Sequence, residues 1–287
     1  MKSYLFNLSL LLISHCVLSA SYILSKFLMP HVSTSMLVFF RFCIGPLLLL
    51  PFFLSQKIKL QFENPVLLTI RCLSGLSSLV FYFFAIKYGE IGRSTLISQL
   101  SVIWTIFISI FLFKEKPSFF VKLAIPMAFL GLFLVFSPSM DFSLHKGDIF
   151  AFLGSILVAI SWSTTKVLRK THSALGLVFT FYGFSAISSG LFMSFYPVNL
   201  PQFLTLIFLI LVGLFSFLGQ LGLTIGFKYL PAATASGINL IVVPLNYIAG
   251  LLFFNESLNF ISFLGIVLVF SSLLVIALYG NSSSKKS

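Results

Sequence analysis

The sequence predicts an all-α integral membrane protein with ten transmembrane helices, arranged as two inverted-topology repeats of five helices each. Three observations lead to this prediction. The composition cannot form a water-soluble surface, apolar runs of about 20 residues recur along the chain, and a residue pattern in the first half returns in the second. No segment between the runs is long enough to hold a soluble domain.

The amino-acid composition excludes a soluble protein and a nucleic-acid-binding protein. Of the 287 residues, 59% are hydrophobic and 8% are charged, whereas a soluble domain carries about a quarter charged residues. The net charge of +12 comes from Lys and Arg residues in the short gaps between apolar runs. Nucleic-acid binding needs these residues gathered on one exposed face. We therefore expect the lipid bilayer, and no nucleic acid, as a partner of the chain.

A transmembrane helix needs about 20 apolar residues, and runs of this kind follow one another with short polar breaks. The ten runs cover residues 4–27, 33–55, 66–86, 92–113, 119–138, 148–168, 174–196, 203–226, 231–254 and 259–279. The breaks contain the Gly, Pro, Asn, Ser and charged residues typical of loops. We therefore predict ten spans, followed by a tail at residues 280–287.

The first run also has features of a signal peptide, with Lys2 as its basic start and Leu18-Ser19-Ala20 as a loose cleavage motif. Two observations favour a span instead. The run continues beyond Ala20 as far as Lys26, and it has a counterpart in the second half of the chain. We therefore interpret it as the first transmembrane helix.

The distribution of Lys and Arg predicts which ends of the spans face the cytoplasm, because cytoplasmic loops are enriched in these residues. With a cytoplasmic N-terminus, thirteen of them fall inside: Lys2, Lys57, Lys59, Arg71, Lys114, Lys116, Lys122, Lys166, Arg169, Lys170, Lys228, Lys285 and Lys286. Four fall outside, namely Lys26, Lys87, Arg93 and Lys146, and Arg41 lies within a span. We therefore predict a multi-pass inner-membrane protein whose termini, including the tail at 280–287, are cytoplasmic.

The second half of the chain repeats the pattern of the first. At an offset of 141 residues the recurring pairs are Lys87-Tyr88 and Lys228-Tyr229, Phe113 and Phe254, Glu115 and Glu256, and Phe119 and Phe260. At an offset of 140 residues, Ser21-Tyr22 with Lys26 recurs as Ser161-Trp162 with Lys166. One inserted residue reconciles the two offsets. The repeat predicts two five-helix units, at residues 4–138 and 148–279.

An odd number of spans in each unit places the two units in the membrane in opposite orientations. Two inverted units related by an axis in the membrane plane are a common architecture of alternating-access carriers, whose substrate site lies between the units. A duplication can also build a membrane scaffold with no transport role, and this alternative stays open. The repeat favours a carrier.

These patterns, taken in order and twice over, resemble the EamA-type branch of the drug/metabolite transporter superfamily across residues 4–279. The residues that carry the resemblance are Tyr22 with Lys26, Trp162 with Lys166, the Arg41-Phe42 pair, Phe113-Lys114-Glu115 and Phe254-Asn255-Glu256. The resemblance implies ten helices in two inverted bundles and a central cavity lined by spans one to four and six to nine. It also implies movement of metabolites such as amino acids, nucleotide-like compounds or S-adenosylmethionine.

Polar side chains within the predicted spans are candidates for contact with a substrate. An unpaired polar group in lipid costs several kcal/mol, so such groups usually face a cavity or a partner. The candidates are His15, Tyr22, Arg41, Tyr82, Ser98, Gln99, Trp104, Trp162, Tyr182, Gln220, Asn239 and Asn246.

Arg41 is the most costly of these residues, since it carries a charge about eight residues into the second span. Its guanidinium group is suited to hold an anionic group such as a substrate carboxylate. The alternative is that the side chain reaches out to the membrane interface or binds a helix-terminal carbonyl. The aromatic candidates suit a planar or cationic group. Together they predict an amino acid or an adenosyl amino acid such as S-adenosylmethionine as the small-molecule substrate.

Lys26 and Lys166 lie at equivalent positions on opposite sides of the predicted membrane. Each is a candidate gate that closes one vestibule in turn by pairing with a carboxylate. Glu115 and Glu256 also fall on opposite sides and are gating candidates, although the lysines need not pair with them. The alternative is that the two lysines are ordinary interface anchors.

The ninth span contains a candidate helix break. Pro244 removes a backbone hydrogen bond, and Gly237 and Asn239 precede it while Asn246 follows it. An opened backbone at this depth is tolerated where it lines a cavity. A packing kink without any ligand is the alternative.

His15 suggests proton coupling, because histidine titrates near neutral pH. All six acidic residues lie at or beyond the end of a predicted span. A carboxylate relay across the membrane is therefore absent from the predicted spans, and exchange or facilitated diffusion is at least as well supported as proton symport.

An intramembrane enzyme needs a paired nucleophile and base, an H-E-x-x-H helix or two facing carboxylates, and the sequence contains none of these patterns. Cys16, Cys43 and Cys72 lie apart in apolar runs, without a metal-binding histidine pattern. We therefore expect neither enzyme activity nor a metal or cofactor. The predicted function is a secondary transporter of a small metabolite, with a homodimer contact on the fifth and tenth spans as an option. A non-transporting scaffold, or an exporter of other metabolites or drugs, is the alternative.

Overall fold

The computed structural model describes residues 2–55, 63–88, 91–136, 145–195, 201–253 and 260–279, so the predicted tail at 280–287 lies outside it. Within these ranges the chain is helical and contains no strand. The α-helices are α1 (Lys2–Leu28), α2 (Thr34–Leu54), α3 (Pro65–Tyr88), α4 (Ile91–Ser98), α5 (Leu100–Phe113), α6 (Phe119–Phe136), α7 (Lys146–Leu168), α8 (Ala174–Ser194), α9 (Phe203–Tyr229), α10 (Ala232–Ile238), α11 (Val242–Phe253) and α12 (Phe260–Tyr279).

The twelve described α-helices correspond to the ten predicted spans, since two of the spans are each broken into two helices. Helices α4 and α5 are the two halves of the fourth span and meet at Gln99. Helices α10 and α11 are the halves of the ninth span, separated by a 3-10 turn at Asn239–Ile241. Among the described residues, α1, α2, α3, α7, α8 and α9 are each long and apolar enough to cross a membrane. The fold is that of a multi-pass membrane protein.

The outer surface of the helix bundle is apolar, as a bilayer environment requires. Phe111 of α5 is 79% exposed and Phe203 of α9 is 80% exposed. Many buried hydroxyl groups within the helices donate to the backbone one turn earlier, as Ser25 does to the carbonyl of Ser21 at 2.7 Å, whereas Ser163 Oγ and Ser185 Oγ have no partner among the described residues. The hydroxyl groups that make these bonds are satisfied without water.

Helices α2 and α8 begin with the same capping contact. Ser33 Oγ accepts a hydrogen bond from the backbone N–H of Met36 at 3.3 Å, and Ser173 Oγ accepts one from Gly176 at 3.0 Å. A serine in this position satisfies an N–H group that has no partner within the helix. The two serines are 140 residues apart, so the second helix of each unit starts in the same way.

Helices of the two units pack in equivalent pairs. Helix α1 packs against α9 and α7 against α3, while α2 packs against α8 and α6 against α12. Glycines on α9 permit a close approach: a Cβ atom added at Gly219 would lie 2.5 Å from Leu18 of α1, and one at Gly213 would lie 2.5 Å from the carbonyl oxygen of Phe40 in α2. A buried apolar cluster joins α2 with α8 and α9. The main core is therefore the interface between the two units.

Candidate functional site

A polar cavity of about 170 Å³ lies between the two units. Its described lining comes from α1 to α5, from α7 to α9, from the 3-10 turn and from α11. None of the described lining residues belongs to α6 or α12, which pack on each other. Both units therefore contribute to one cavity.

Most of the polar residues that the sequence singled out line this cavity. They are Tyr22, Arg41, Tyr82, Ser98, Gln99, Trp162, Tyr182, Gln220, Asn239 and Asn246. They come from helices far apart in the chain, so the fold brings together groups that the sequence shows only as isolated polar residues in apolar runs.

His15 and Trp104 are not among the described residues that line the cavity, contrary to the sequence prediction. His15 is 1% exposed, and neither ring nitrogen has a hydrogen-bond partner among the described residues. Trp104 donates from Nε1 to Ser155 Oγ at 3.1 Å and packs on Phe152, with ring centroids 5.8 Å apart. The sequence identified both as polar groups within a span, but it did not show on which face of its helix each side chain lies.

Arg41 lies in the wall of the cavity rather than at the membrane interface. Its side chain is 5% exposed, and its guanidinium carbon lies 4.6 Å from the centroid of the Tyr22 ring, a cation–π contact. Its Nη1 atom has no hydrogen-bond partner among the described residues. The alternative in which Arg41 extends to the interface is therefore wrong, and a charged donor is left directed at the cavity region.

Arg71 is the cavity residue that the sequence interpretation missed. It was counted among the cytoplasmic loop residues, but it lies within α3, is 3% exposed and lines the cavity. Its Nη1 donates to Ser161 Oγ, its guanidinium carbon lies 4.1 Å from the centroid of the Phe181 ring, and its Nε has no partner among the described residues. The signal was present, because Arg71 falls within the predicted span 66–86, where a charge is costly.

Gly75, one turn after Arg71 on α3, provides the space that this guanidinium group occupies. A Cβ atom at position 75 would lie 2.6 Å from Nη1 of Arg71 and 2.6 Å from the Phe181 ring. Contacts this short do not occur, so a larger residue would displace the guanidinium group or the ring. The close approach of three groups therefore requires glycine here.

Tyrosine side chains form a second part of the lining. The rings of Tyr22 and Tyr82 meet edge to face with centroids 6.3 Å apart, an arrangement that aromatic pairs favour. The Tyr82 hydroxyl shares a hydrogen bond of 3.2 Å with Thr95 Oγ1, and the Tyr182 hydroxyl donates to the carbonyl oxygen of Ser216 at 2.7 Å. These bonds hold the rings in defined positions around the cavity.

The two broken helices meet at the cavity. Asn239, in the 3-10 turn, donates from Nδ2 to Oε1 of Gln99 at the junction of α4 and α5. Pro244 follows this turn within α11. Because proline lacks an N–H and its ring clashes with the carbonyl four residues earlier, it disfavours a regular helix through Leu240, which lies in the turn. The break predicted around Pro244 thus lies just before it, at Asn239–Ile241.

An ion pair between the units lies at one end of the bundle. Lys166, near the end of α7, binds Oε1 of Glu115, which follows α5. The backbone N–H of Ala232 donates to Oε2 of Glu115 at 2.9 Å, and Lys166 Nζ donates to the carbonyl oxygen of Leu230 at 3.2 Å. The two charged side chains are 15% and 17% exposed. This group ties the ends of α5, α7 and α9 together.

The other two gating candidates are less fully defined. Lys26 is partly buried near the end of α1. Glu256 lies outside the described residues.

The charge in the cavity is entirely positive among the described lining residues. Arg41 and Arg71 contribute two guanidinium groups, and no described lining residue is acidic. Within the described ranges, no group of three or more His, Cys, Asp or Glu side chains lies close enough together to hold a metal ion. The site as described is suited to bind an anionic group beside aromatic rings and amide groups.

Comparison with known proteins identifies the relatives of the chain. The model of the EamA-like transporter family matches residues 5–137 and again residues 145–278. An uncharacterized transporter of Helicobacter pylori strain J99 is 24% identical over 289 residues, covering 96% of each chain. A pseudopaline exporter of Pseudomonas aeruginosa is 25% identical over 256 residues, covering 87% of this chain and 86% of the relative.

A third relative and a solved structure extend the comparison. An S-adenosylmethionine uptake transporter of Rickettsia felis is 24% identical over 172 residues, covering 59% of this chain and 56% of the relative. A solved crystal structure superimposes with a TM-score of 0.79 at 15% identity, covering 96% of this chain and 98% of the other. At this identity the superposition shows the fold alone.

The two family matches follow one another along nearly the whole chain and confirm the resemblance drawn from the repeated residues. These relatives are named as a transporter and an exporter, which together with the family match indicates a transporter rather than an enzyme. This chain belongs to the EamA-like transporter family.

Proposed function

We propose that this protein is a secondary transporter that carries a small metabolite across the inner membrane by alternating access. The observation that carries the proposal is a polar cavity between the two units, with an ion pair between the units, Lys166–Glu115, at one end of the bundle. A carrier needs a central site whose two exits open in turn. A cavity bounded by both units meets this requirement if the units rock against each other.

The proposal includes an inverted arrangement of the two units, which the contacts at the helix ends support. Phe27 at the end of α1 contacts Phe253 at the end of α11, whereas Lys166 near the end of α7 contacts Glu115 after α5. Three spans separate the end of α1 from the end of α5. These two chain positions therefore lie on opposite sides of the membrane, so α1 and α7 run in opposite directions.

Equivalent contacts within the packed pairs also support the inverted arrangement. Ser161 of α7 binds Arg71 of α3. Its counterpart Ser21 in α1 binds the carbonyl oxygen of Val212 in α9 at 3.0 Å, and Val212 is the residue 141 positions after Arg71. The pair α3–α7 and the pair α1–α9 therefore contact each other at equivalent positions.

We propose that both termini are cytoplasmic. Without Arg71, which lies in the cavity, the count of Lys and Arg is twelve inside against four outside, and the positive-inside rule still favours this orientation. Lys166 and Glu115 then lie at the cytoplasmic end, so the ion pair is the proposed cytoplasmic gate. Lys26 occupies the equivalent position at the outer end and is the proposed outer gate.

The substrate class is proposed from the cavity lining. Arg41 suits a carboxylate, and the tyrosine and tryptophan rings suit a planar group, which together favour an amino acid or an adenosyl amino acid such as S-adenosylmethionine. One relative is named for S-adenosylmethionine uptake and another for pseudopaline export, so export of another metabolite is the second candidate. A homodimer contact on the outer faces of α6 and α12 remains part of the proposal.

Counterflow in proteoliposomes tests the proposal. Purified protein is reconstituted, and uptake of labelled amino acids, nucleosides and S-adenosylmethionine is measured with and without unlabelled compound inside. We expect one class to accumulate and to be stimulated by internal unlabelled compound, because a carrier exchanges its substrate. Protein-free liposomes are the control. Folded, monodisperse protein that carries no member of the panel would favour the scaffold alternative.

A further inference from the structure

We infer that the cavity recognises a substrate with two negatively charged groups, bound by the guanidinium groups of Arg41 and Arg71, which both line it. The inference rests on the proposed transport function and narrows its substrate class to compounds with two anionic groups, which favours acidic amino acids and other diacids over S-adenosylmethionine. The chemistry shared by the substrates that fit is a pair of anionic groups, as in a dicarboxylate or a phosphorylated carboxylic acid. A substrate with a single carboxylate uses only half of this site.

The first argument is that neither charge has an acidic counter-ion among the described residues. Arg41 is 5% exposed and Arg71 is 3% exposed, and no described residue lining the cavity is acidic. Three carboxylate side chains are described: Glu63 is exposed, Glu115 is bound to Lys166, and Asp148 accepts the backbone N–H of His145. A buried charge without a partner is costly. Two of them in one cavity are therefore compensated when an anion enters.

The second argument is that both arginines retain free donors. Nη1 of Arg41 and Nε of Arg71 have no hydrogen-bond partner among the described residues. A buried N–H group without an acceptor costs free energy, and a guanidinium group forms its strongest bonds with carboxylate and phosphate oxygens. The unused donors therefore favour a carboxylate or phosphate oxygen of a ligand, since no described lining residue is acidic.

The third argument is that the fold holds the two groups in place. Arg71 is bound by Ser161, rests on the Phe181 ring and occupies the space left by Gly75. Arg41 lies over the Tyr22 ring. Both arginines line the same cavity. A site held in this way loses little conformational freedom when the anion binds.

The asymmetry between the units shows that these charges are not a by-product of the repeat. The counterpart of Arg41 at an offset of 140 is Phe181, and the counterpart of Arg71 at an offset of 141 is Val212. Both arginines belong to the first unit, and Arg71 rests on the residue that replaces Arg41 in the second. The duplicated fold thus carries an anion site built from one unit and completed by the other.

The inference separates substrates by charge. S-adenosylmethionine carries one carboxylate together with an ammonium and a sulfonium group. Its net charge is therefore positive, like that of the cavity, and the two repel each other. A compound with two anionic groups neutralises both arginines. We therefore expect the cavity to prefer the second class.

The test compares matched pairs of compounds that differ by one anionic group: glutamate with glutamine, succinate with succinamate, and phosphoserine with serine. Binding to the purified protein is measured by thermal stabilisation at constant ionic strength. We expect at least one compound with two anionic groups to bind about tenfold or more tightly than its partner, a difference of about 1.4 kcal/mol. The carboxylate and phosphate pairs show which acid is recognised.

Variants assign the preference to the arginines. Arg41→Gln and Arg71→Gln should each reduce the ratio of affinities within the pair towards one, while Lys122→Gln, which removes an exposed charge on α6, should leave it unchanged. Arg71→Lys keeps the charge but loses the forked donor geometry. It replaces Arg71→Gln in the comparison if that variant does not fold, and it should also reduce the ratio of affinities. The inference is overturned by equal binding within every pair, by no binding of any two-anion compound, or by a ratio that survives both Gln substitutions.

Counterflow with the same pairs separates this inference from the proposed function. A compound that is carried with no dependence on Arg41 or Arg71 contradicts the anion site but supports the transporter. A two-anion compound that binds through both arginines and is not carried supports the site but contradicts transport of that class.

Discussion

Asn239 donates a hydrogen bond of 2.9 Å from its side-chain amide to Oε1 of Gln99, although the two residues are 140 positions apart in the chain. Each lies where the helix of its unit is broken: Gln99 between α4 and α5, Asn239 in the 3-10 turn before α11. Both line the cavity. The contact therefore links the irregular segments of the two units at the candidate substrate site.

The first prediction concerns this contact. In a double-mutant cycle with Gln99→Leu and Asn239→Leu, we expect a coupling energy of about 0.6 kcal/mol, typical of hydrogen bonds between membrane helices. SDS unfolding of each variant measures it. A cycle of Gln220→Leu with Asn239→Leu is the control, because Gln220 lines the same cavity without bonding Asn239, and its effects should add. Additive effects in both cycles would show that the contact does not stabilise the fold.

The second prediction concerns the ion pair. Lys166→Met removes the cation that binds Glu115, so we expect a cysteine placed at Ser78 in the cavity, in a background without native cysteines, to become more accessible from the cytoplasmic side. A membrane-impermeant maleimide applied to inverted vesicles measures the labelling rate, which should rise several-fold. Lys170→Met, an exposed residue one turn later, is the control.

The gating proposal also predicts from which side the cavity becomes accessible when Lys26 is replaced. Lys26→Met should change the labelling of the same cysteine in the opposite sense, with access from the outer side favoured. Identical shifts in the Lys26 and Lys166 variants would show that the two lysines anchor helices at the interface and do not gate the cavity.

The third prediction concerns the helix break. Proline within a helix costs about 3 kcal/mol relative to alanine, so Pro244→Ala should favour a continuous helix from α10 to α11. We expect unchanged or higher thermal stability together with slower counterflow, because the cavity wall loses its irregular backbone. Pro126→Ala in α6, away from the described cavity lining, should leave counterflow unchanged. Equal transport by both variants would make the break a packing feature.

The fourth prediction concerns the space beside Arg71. Gly75→Ala places a methyl group where the guanidinium group and the Phe181 ring already lie, so we expect binding of the two-anion compounds to weaken about tenfold. Gly183→Ala on α8 is the matched control, because its added Cβ meets no atom within 4 Å. Thermal stabilisation by the compound pairs measures both. Equal affinities in the two variants would show that Arg71 does not depend on Gly75 for its position.

The differences between prediction and structure at Arg71, His15 and Trp104 have a common physical cause. The charge count places Arg71 on the cytoplasmic side although the residue lies within its own apolar run, because such a count treats every Lys and Arg near a span end alike. His15 and Trp104 were assigned to the cavity because a helix that is apolar on all sides has no face that marks the interior. The sequence shows that a polar residue in a span needs a partner, but it does not show which residue that partner is.

The sequence by itself determined the membrane-spanning character, the ten apolar runs, the repeat and most of the polar residues around the cavity. It did so because lipid imposes a cost on each polar group and a minimum length on each helix, and both are local properties of the chain. Only the tertiary structure decided that Lys166 binds Glu115, that Asn239 meets Gln99 and that Arg71 turns inward. These contacts depend on how each helix is rotated and how the two units pack, which results from the close fit of many side chains together.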